Sequence, residues 1–576
     1  MVYSGARILI ETLIEEGVDT VFGFPGGAVL FIYDELFKHR DRIRHVLVSH
    51  EQHAAHAADG YARSTGKVGV CIATSGPGAT NLVTGVATAA MDSVPLVAIT
   101  GNVTLPLLGK DSFQEVDITG ITMPVVKHNW IVKEVKELAE VIREAFIVAR
   151  SGRPGPVLVD IPRDVSAALG EWRPLVSTPS PDNTEGERAL GSARARRLLK
   201  RVTGATYTGE DLDRAAELLA GARRPVLYAG GGVIISDASG ELTQLAERLN
   251  APVALSLMGI GALPREHRLY TGLIGMHGTV ASNKAVQKAD LLVSIGARFS
   301  DRVTSRADKF AKGAKILHLD IDPAEINKNI RAEAWVVGDI KDIIRKLLKK
   351  LPPAPESDWN GEIEKWKAHV PVAHHRKTRL HPRFIIEETA KGLGYDALVA
   401  TDVGQHQMWT AQFYPFSTPR SFLTSGGLGT MGFGLGAILG AKIANPQRSA
   451  ALFTGDGSFR MNCAEMATIA AYRLPILILI FNNRTLGMVR QWQALFYGER
   501  YAETTLDRPP DFIKLAEAYG LSGYRADNED SFRAALDRAL GELAQGRAVL
   551  IDAHIDQDEK VLPMVPGGKP IDEQIL

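Results

Sequence analysis

The stretch TGDGSFRMNCAEMATIAAYRLPILILIFNN, residues 454–483, places a carboxylate, Asp456, and two amides, Asn482 and Asn483, at the ends of two apolar runs. Asp456 offers a hard carboxylate oxygen and Asn483 an amide oxygen, ligand types that Mg²⁺ accepts while keeping phosphate oxygens in its octahedron. Gly455 and Gly457 let the backbone approach a diphosphate closely, and the start of a following helix supplies free N–H donors. The 24 residues from 458 to 481 fit one crossover helix and one strand. In a parallel sheet both loops then emerge at the carboxyl edge, where α/β folds bind ligands. GDG alone is only a turn; its spacing to NN makes it a motif.

A second constellation is SHEQHAAHAADGYAR, residues 49–63. Three imidazoles around a carboxylate first suggest zinc, but His50 and His53 are three apart, as are His53 and His56, whereas the HExxH zinc helix sets its histidines four apart. Glu51 follows a β-rich run and opens an alanine-rich helical pattern. It reads either as an acid at a solvated helix start or as a buried acid, because so much alanine leaves no polar face for it to join.

These groups must be positioned by α/β architecture. DTVFGF, IRHVLVSH, KVGVCIATSGPG and PLVAITGN alternate with helical patterns in the first part of the chain, which implies a parallel sheet. A second series runs through RPVLYAGGGV, PVALSLMG, ADLLVSIGARF, AKILHLDIDP and AWVVGD, and a third from ALVATDVGQHQ to AVLIDAHID, with a rhythm like the first. The fold class is therefore α/β: three consecutive domains with parallel sheets, at 1–175, 209–350 and 373–576, joined by linkers at 176–208 and 351–372. The first linker carries Arg194, Arg196, Arg197, Lys200 and Arg201, read first as a solvated helix face and second as a patch for a phosphate or acidic partner.

Composition narrows the function. At 576 residues the chain is too long for one core. Lys+Arg and Asp+Glu both number 66, so no global field recruits nucleic acid or an acidic membrane. The two cysteines, Cys71 and Cys463, have no paired spacing. No apolar run reaches the roughly 20 residues that span a bilayer, and MVYSGARILIETLIEEGVDT reads as mature helix rather than a leader. A soluble, cytoplasmic protein is expected.

GDG followed at this distance by NN resembles the signature of thiamine diphosphate enzymes. With FPGGAVL, SHEQHAAHAADGYAR, TSGPGATN, LGKDSFQEVDITG, GMHGT, GARFSDRVT, GQHQMW, SGGLGTMGFG and LGMVRQWQALFY, the chain resembles, almost end to end, the catalytic subunits of the acetohydroxyacid synthase family. That resemblance implies a pyrimidine domain, a central FAD-carrying domain and a diphosphate domain. It implies Mg²⁺ on Asp456, Asn483 and the backbone oxygen of Thr485. Thiamine diphosphate would also meet Val403, Gly404, Gln405, His406, Gly429, Gly455, Gly457, Ser458, Leu486, Gly487 and Met488. Met431 would be the apolar wedge that bends the cofactor, filling volume without competing for hydrogen bonds. Glu51 would donate a proton to the pyrimidine N1′.

By the same resemblance, pyruvate loses CO₂ and its hydroxyethyl carbanion attacks pyruvate or 2-oxobutyrate, giving acetolactate or acetohydroxybutyrate, the first common step of branched-chain amino-acid biosynthesis. The acceptor would be lined by Gly27, Ala28, Phe113, Gln114, Met276, Asp301 and Arg302, with Arg302 as carboxylate clamp and Trp492 against the larger acceptor's methyl. Arg302 pairing only with Asp301, and Trp492 as plain core, are the alternatives. FAD would take Arg153, Gly230, Gly231, Gly232, His277, Gly278, Thr279, Gly296, Arg298, Asp320 and Asp339. A homodimer or homotetramer and a separate regulatory small subunit are implied as partners. Pyruvate oxidase or another decarboxylase on the same scaffold is the competing enzyme, and a catalytically silent binding paralogue the competing class. Lys110, Asn102 and Gly436 depart from the family's usual residues.

Overall fold

The computed structural model describes residues 1–175, 207–353, 357–368 and 380–576. The basic cluster at 194–201 lies outside the described residues. Strand β1 (Val2–Ser4) precedes the first helix, Gly5–Glu15, and pairs antiparallel with β8 (Leu169–Glu171). Between them run β2 (Thr20–Gly23), β3 (Arg44–Leu47), β4 (Gly69–Ala73), β5 (Leu96–Asn102), β6 (Asn129–Ile131) and β7 (Pro156–Pro162). They form a parallel sheet in the order β3-β2-β4-β5-β7-β6. Every residue of β4, β5 and β7 is buried, as continuous apolar strands covered on both faces must be.

The central sheet holds β9 (Pro225–Ala229), β10 (Val253–Leu255), β11 (Tyr270–Leu273), β12 (Leu291–Ile295), β13 (Lys315–Asp320) and β14 (Ala334–Val337), ordered β11-β10-β9-β12-β13-β14. In running order this is 3-2-1-4-5-6, the dinucleotide-binding arrangement. The third sheet holds β15 (Leu398–Thr401), β16 (Phe422–Leu423), β17 (Ala450–Gly455), β18 (Leu477–Asn482), β19 (Ser522–Ala526) and β20 (Val549–His554), ordered β16-β15-β17-β18-β20-β19. Its pattern, 2-1-3-4-6-5, is the same as that of the first sheet. The fold class is thus three parallel-sheet α/β layers in succession.

The compact units do not follow chain order: Ser425–Gln447 and Met461–Ile476 cluster with the N-terminal sheet, and the central and third sheets make up the second unit. The reason is a close crossing of two small-residue helices, Glu51–Thr65 and Gly434–Ala444. A Cβ added at Gly60 would lie 2.0 Å from the Ala437 carbonyl oxygen, and one at Gly440 1.8 Å from that of Ala57. Gly436, one of the departures from the family pattern, leaves room for His56, whose Cβ a side chain there would meet at 2.8 Å. Gly440→Ala is expected to destabilise the protein by about 3 kcal/mol, the upper part of the overpacking range; an unchanged denaturation midpoint would mean the helices can separate.

Residues 351–372 do more than connect. They carry a helix, Trp359–Lys367, whose Trp359 is buried and donates from its indole to the Pro225 carbonyl at 3.1 Å. No helix of the described residues is long and apolar enough to cross a membrane.

Candidate functional site

In the third sheet, β15 and β17 lie side by side while their successors run to opposite edges, so the crevice beyond their carboxyl ends is a topological switch point. The turn after β15 carries Asp402, Val403 and Gly404 and leads into the helix Gln405–Phe413, which Gln405 and His406 open, while β17 passes directly into the short helix Asp456–Phe459, which Asp456 and Gly457 open. Thr454 donates to Asp402 Oδ2 at 2.6 Å, and Ser458 to the Val403 carbonyl at 3.2 Å, which binds the two strand ends together. His406 is buried and pushed down to about 3 by desolvation, so its imidazole is neutral; its Nε2 has no hydrogen-bond partner among the described residues.

Asp456 is 1% exposed. Burial pushes its carboxyl up to about 7, and Asp552 adds to the rise, against backbone hydrogen bonds from Gly457 and Arg484. Among the described residues its Oδ2 has no hydrogen-bond partner, nor has the Thr485 hydroxyl. A divalent cation would reverse this balance by favouring the ionised form. Asn483 accepts from the Thr485 N–H at 3.1 Å and donates to Gln405 Oε1 at 3.3 Å. A buried orphan carboxylate oxygen beside amide and backbone oxygens fits a hard cation that retains phosphate ligands. Asn482 serves the sheet instead, donating to Asp552 Oδ1 at 2.9 Å on the next strand, β20.

Sequence reasoning missed the amide chain behind this cradle. Gln405 Nε2 donates to Gln491 Oε1 at 3.0 Å and to the Glu559 carbonyl at 2.7 Å, and Gln491 exchanges hydrogen bonds with the Val561 backbone at 2.9 and 3.2 Å. The signal was present as Gln491 inside VRQWQ, one residue before Trp492. Gly487 packs against the chain: a Cβ there would stand 2.1 Å from Gln405 Oε1. Gly487 opens the helix Gly487–Phe496, on which Met488 packs against the third-sheet core and Trp492 meets Phe496 with ring centroids 5.1 Å apart. Leu486 is fixed by its N–H to the Thr504 carbonyl at 2.8 Å.

In the first unit, Glu51 is the first residue of its helix, three intervening residues beyond the end of β3, and is 9% exposed. Asn81, from TSGPGATN, donates to Glu51 Oε2 at 2.9 Å, and Gly78 leaves Oε1 uncovered, since a Cβ there would approach it to 3.2 Å. The three histidines have separate roles. His50 caps the helix through the Gln52 N–H. His53 Nδ1 meets Glu465 Oε2 at 2.7 Å, both side chains being buried. His56, fully buried and held well below its ordinary pKa by desolvation, lies edge-on to Phe433. Glu465, which the sequence did not single out, also accepts from the Ser49 N–H and the Thr468 hydroxyl. Met431 is half-buried at the end of an exposed glycine run that includes Gly429.

Of the acceptor residues, Gly27 and Ala28 form a single turn after β2, with the Ala28 N–H directed at Thr74 Oγ1. Gln114 adopts φ 58° against the Gly76 loop, and Phe113 is 89% exposed. In the second unit, the Met276 N–H donates to the Arg302 carbonyl at 2.9 Å, and Arg302 Nη1 reaches Met276 Sδ at 3.6 Å. The Arg302–Asp301 pair is 3.7 Å long with both side chains largely exposed. Such pairs contribute about 0.2–1 kcal/mol, so Asp301 does not tie up the guanidinium.

The central sheet's switch point lies between β9 and β12. Gly230 and Gly232 follow β9 and touch Gly296, which follows β12 with φ 54°: a Cβ at Gly230 would come within 2.4 Å of the Gly296 oxygen. Gly231 starts the short helix there, and the Arg298 carbonyl accepts from the Tyr228 hydroxyl at 3.0 Å. Thr279 caps the helix Val280–Lys288 by accepting from the Ser282 N–H at 3.0 Å, and the Gly278 N–H turns back to the Gly275 carbonyl. His277 is pushed down to about 4 by burial. Asp320 ends β13 nearly buried, whereas both oxygens of Asp339 are engaged, one capping the helix Ile340–Lys350 and the other accepting from Ser236 at 2.6 Å. Arg153 belongs to the first unit, where its Nε donates to Ser93 Oγ at 2.8 Å.

Three family models match the chain in order: the thiamine pyrophosphate enzyme N-terminal TPP binding domain at 3–121, its central domain at 212–347 and its C-terminal TPP binding domain at 402–553. The chain is 47% identical to an acetolactate synthase of Mycobacterium bovis, over 99% of this chain and 91% of that protein. It is 46% identical to a probable acetolactate synthase large subunit of Methanocaldococcus jannaschii, over 98% and 94%. It is 44% identical to an acetolactate synthase large subunit of Pyropia yezoensis, again over 98% and 94%.

Proposed function

Because the chain belongs to the acetolactate synthase family of thiamine pyrophosphate enzymes, we propose that it decarboxylates pyruvate and joins the remaining two-carbon unit to a second 2-oxo acid. The products are 2-acetolactate from pyruvate and 2-aceto-2-hydroxybutyrate from 2-oxobutyrate. The observation that carries the reading is Asp456 Oδ2, buried without a hydrogen-bond partner among the described residues at the switch point of the third sheet, after the strand paired with the one that Asn483 and Thr485 follow. Incubation with pyruvate, thiamine diphosphate and Mg²⁺ should accumulate acetolactate. Acetyl phosphate or free acetaldehyde as main product would favour the oxidase or decarboxylase instead.

Bound thiamine diphosphate supplies the electron sink for decarboxylation. Asp456, Asn483 and the Thr485 carbonyl would hold Mg²⁺ against its diphosphate, with Val403, Gly404, Gln405, His406, Gly429, Ser458, Leu486, Gly487 and Met488 around it. Glu51 would donate a proton to the pyrimidine N1′ from Oε1, while Asn81 holds Oε2. Met431 would supply the apolar volume against which the cofactor rests. In the second unit Arg302 would clamp the acceptor's carboxylate, its fork matching two oxygens, with Met276 and Asp301 beside it; in the first unit Gly27, Ala28, Phe113 and Gln114 are the proposed acceptor residues. Trp492→Leu should lower the preference for 2-oxobutyrate over pyruvate by about tenfold or more, since one methyl contact is worth that much discrimination. Unchanged product ratios in a competition assay would remove Trp492 from this role.

FAD is part of the proposal, supported by the 3-2-1-4-5-6 order and the Gly230–Gly296 contact at its switch point. Asp339, committed to a helix cap and to Ser236, is the weakest member of its residue set. Purified protein should be yellow and remain active after anaerobic flavin reduction; strict dependence on a quinone would overturn a structural flavin. A cytoplasmic homodimer or homotetramer, in which a second copy completes each thiamine site, and a separate regulatory small subunit complete the reading. Sedimentation of an active monomer would contradict the dimer.

A further inference from the structure

Met431 ends a loop whose residues from Gly426 to Gly429 are exposed, yet three groups of the first unit tie it down. At its entry Asp92, 7% exposed, accepts from the N–H groups of Gly426 at 3.1 Å and Gly427 at 2.7 Å. At its exit Thr88 shares a buried 2.7 Å hydroxyl–hydroxyl hydrogen bond with Thr430, whose own N–H returns to Ser425 Oγ at 3.0 Å. Beyond Met431, Asn462 Nδ2 donates to the Gly432 carbonyl at 2.9 Å.

Asp92 is itself held. Arg63 Nη2 donates to Asp92 Oδ2 at 3.0 Å, while its Nε and Nη2 reach the two oxygens of Asp59 at 2.5 and 3.2 Å. The guanidinium also lies 5.2 Å over the Phe433 ring, two residues past Met431. Arg63 and Asp59 stand on the helix that Glu51 opens. A carboxylate–guanidinium–carboxylate chain therefore runs from the glutamate helix to the methionine loop. Its bonds are charge-assisted and shielded from water, the strong class of protein hydrogen bonds.

The loop needs such restraint. It contains Gly426, Gly427 and Gly429, so ordering it on its own would cost more backbone entropy than ordering any other residue types. Left to the ligand, that cost would be subtracted from cofactor affinity; met in advance, it is preorganisation. We propose that Asp92 and Thr88 are positioning residues for the cofactor, holding the Met431 loop in its binding shape and, through Arg63, in fixed register with the helix of Glu51. The proposal rests on the reading of Met431 as a thiamine contact.

The test is titration of the cofactor-free protein with thiamine diphosphate at saturating Mg²⁺, followed by intrinsic fluorescence, beside the thermal midpoint of the cofactor-free protein. Asp92→Asn removes the charge and one acceptor site, and should raise the dissociation constant about 10- to 100-fold, as loss of a hydrogen bond to a charged group implies. The change should be larger in that constant than in kcat. Thr88→Val should shift affinity in the same direction and Thr88→Ser should restore it; this pair carries the test if Asp92→Asn does not fold. Met431→Ala separates the two readings. Unchanged cofactor affinity in Met431→Ala would remove the underlying assignment of Met431. Weakened affinity there, with wild-type affinity in both Asp92→Asn and Thr88→Val, would overturn the positioning role alone, as would variants whose only defect is a lower thermal midpoint.

Discussion

Glu51→Gln lowers turnover at saturating thiamine diphosphate by about 10²- to 10⁴-fold, the scale on which general acid–base groups act. The substitution keeps the volume of a side chain that is only 9% exposed and preserves a carbonyl oxygen for the Asn81 amide, so the helix start is undisturbed. What disappears is the transferable proton. The deficit should therefore appear before any substrate binds, as an equally slowed exchange of the cofactor's thiazolium proton with deuterated solvent. Near-wild-type exchange and turnover would return Glu51 to the class of helix-start acids.

Asp456→Ala produces the second large effect, a loss of Mg²⁺ affinity of about 100-fold or more. Removing a group that merely orients a metal ligand costs about 10- to 100-fold, and Asp456 is proposed as the only charged ligand. The orphan Oδ2 and the rise of the carboxyl to about 7 indicate a site that stabilises an anion poorly without a cation. Titration of Mg²⁺ against activity at saturating thiamine diphosphate reads the shift directly, with flavin content as a folding control. An unchanged Mg²⁺ dependence would place the metal elsewhere.

The GDG-to-NN motif was legible because its chemistry and its spacing are both local, and the strand ends at Gly455 and Asn482 fall where the apolar runs stop. The three sheets were legible for the same reason: a buried parallel strand is a short apolar run that needs no partner to be recognised. Partnership was not legible. The crossover after GDG was expected as one helix, but Cys463–Glu465 is a single tight turn and Met466–Ala471 a six-residue helix. Glu465 is drawn to Ser49 and His53 instead, and a pair more than 400 positions apart leaves no periodicity in either neighbourhood. His53 reads as a loose histidine until that carboxylate is known. Likewise the Pro-rich composition of 351–372 hid a helix whose signal was one residue, Trp359.

The crossing of Gly60 on Gly440 has a consequence for how the protein is made. The first sheet and the Glu51 helix leave the ribosome early, but the helix that covers them is encoded 380 positions later. At roughly 5–20 residues per second, the alanine face of Glu51–Thr65 waits on the order of 20–80 s for Gly434–Ala444. During that interval it is an uncovered apolar surface on a nascent chain. Overexpression should therefore load the chaperone system with chains that have begun folding and cannot finish, and slowing translation early in the message should aid yield less than shortening the wait before residue 434.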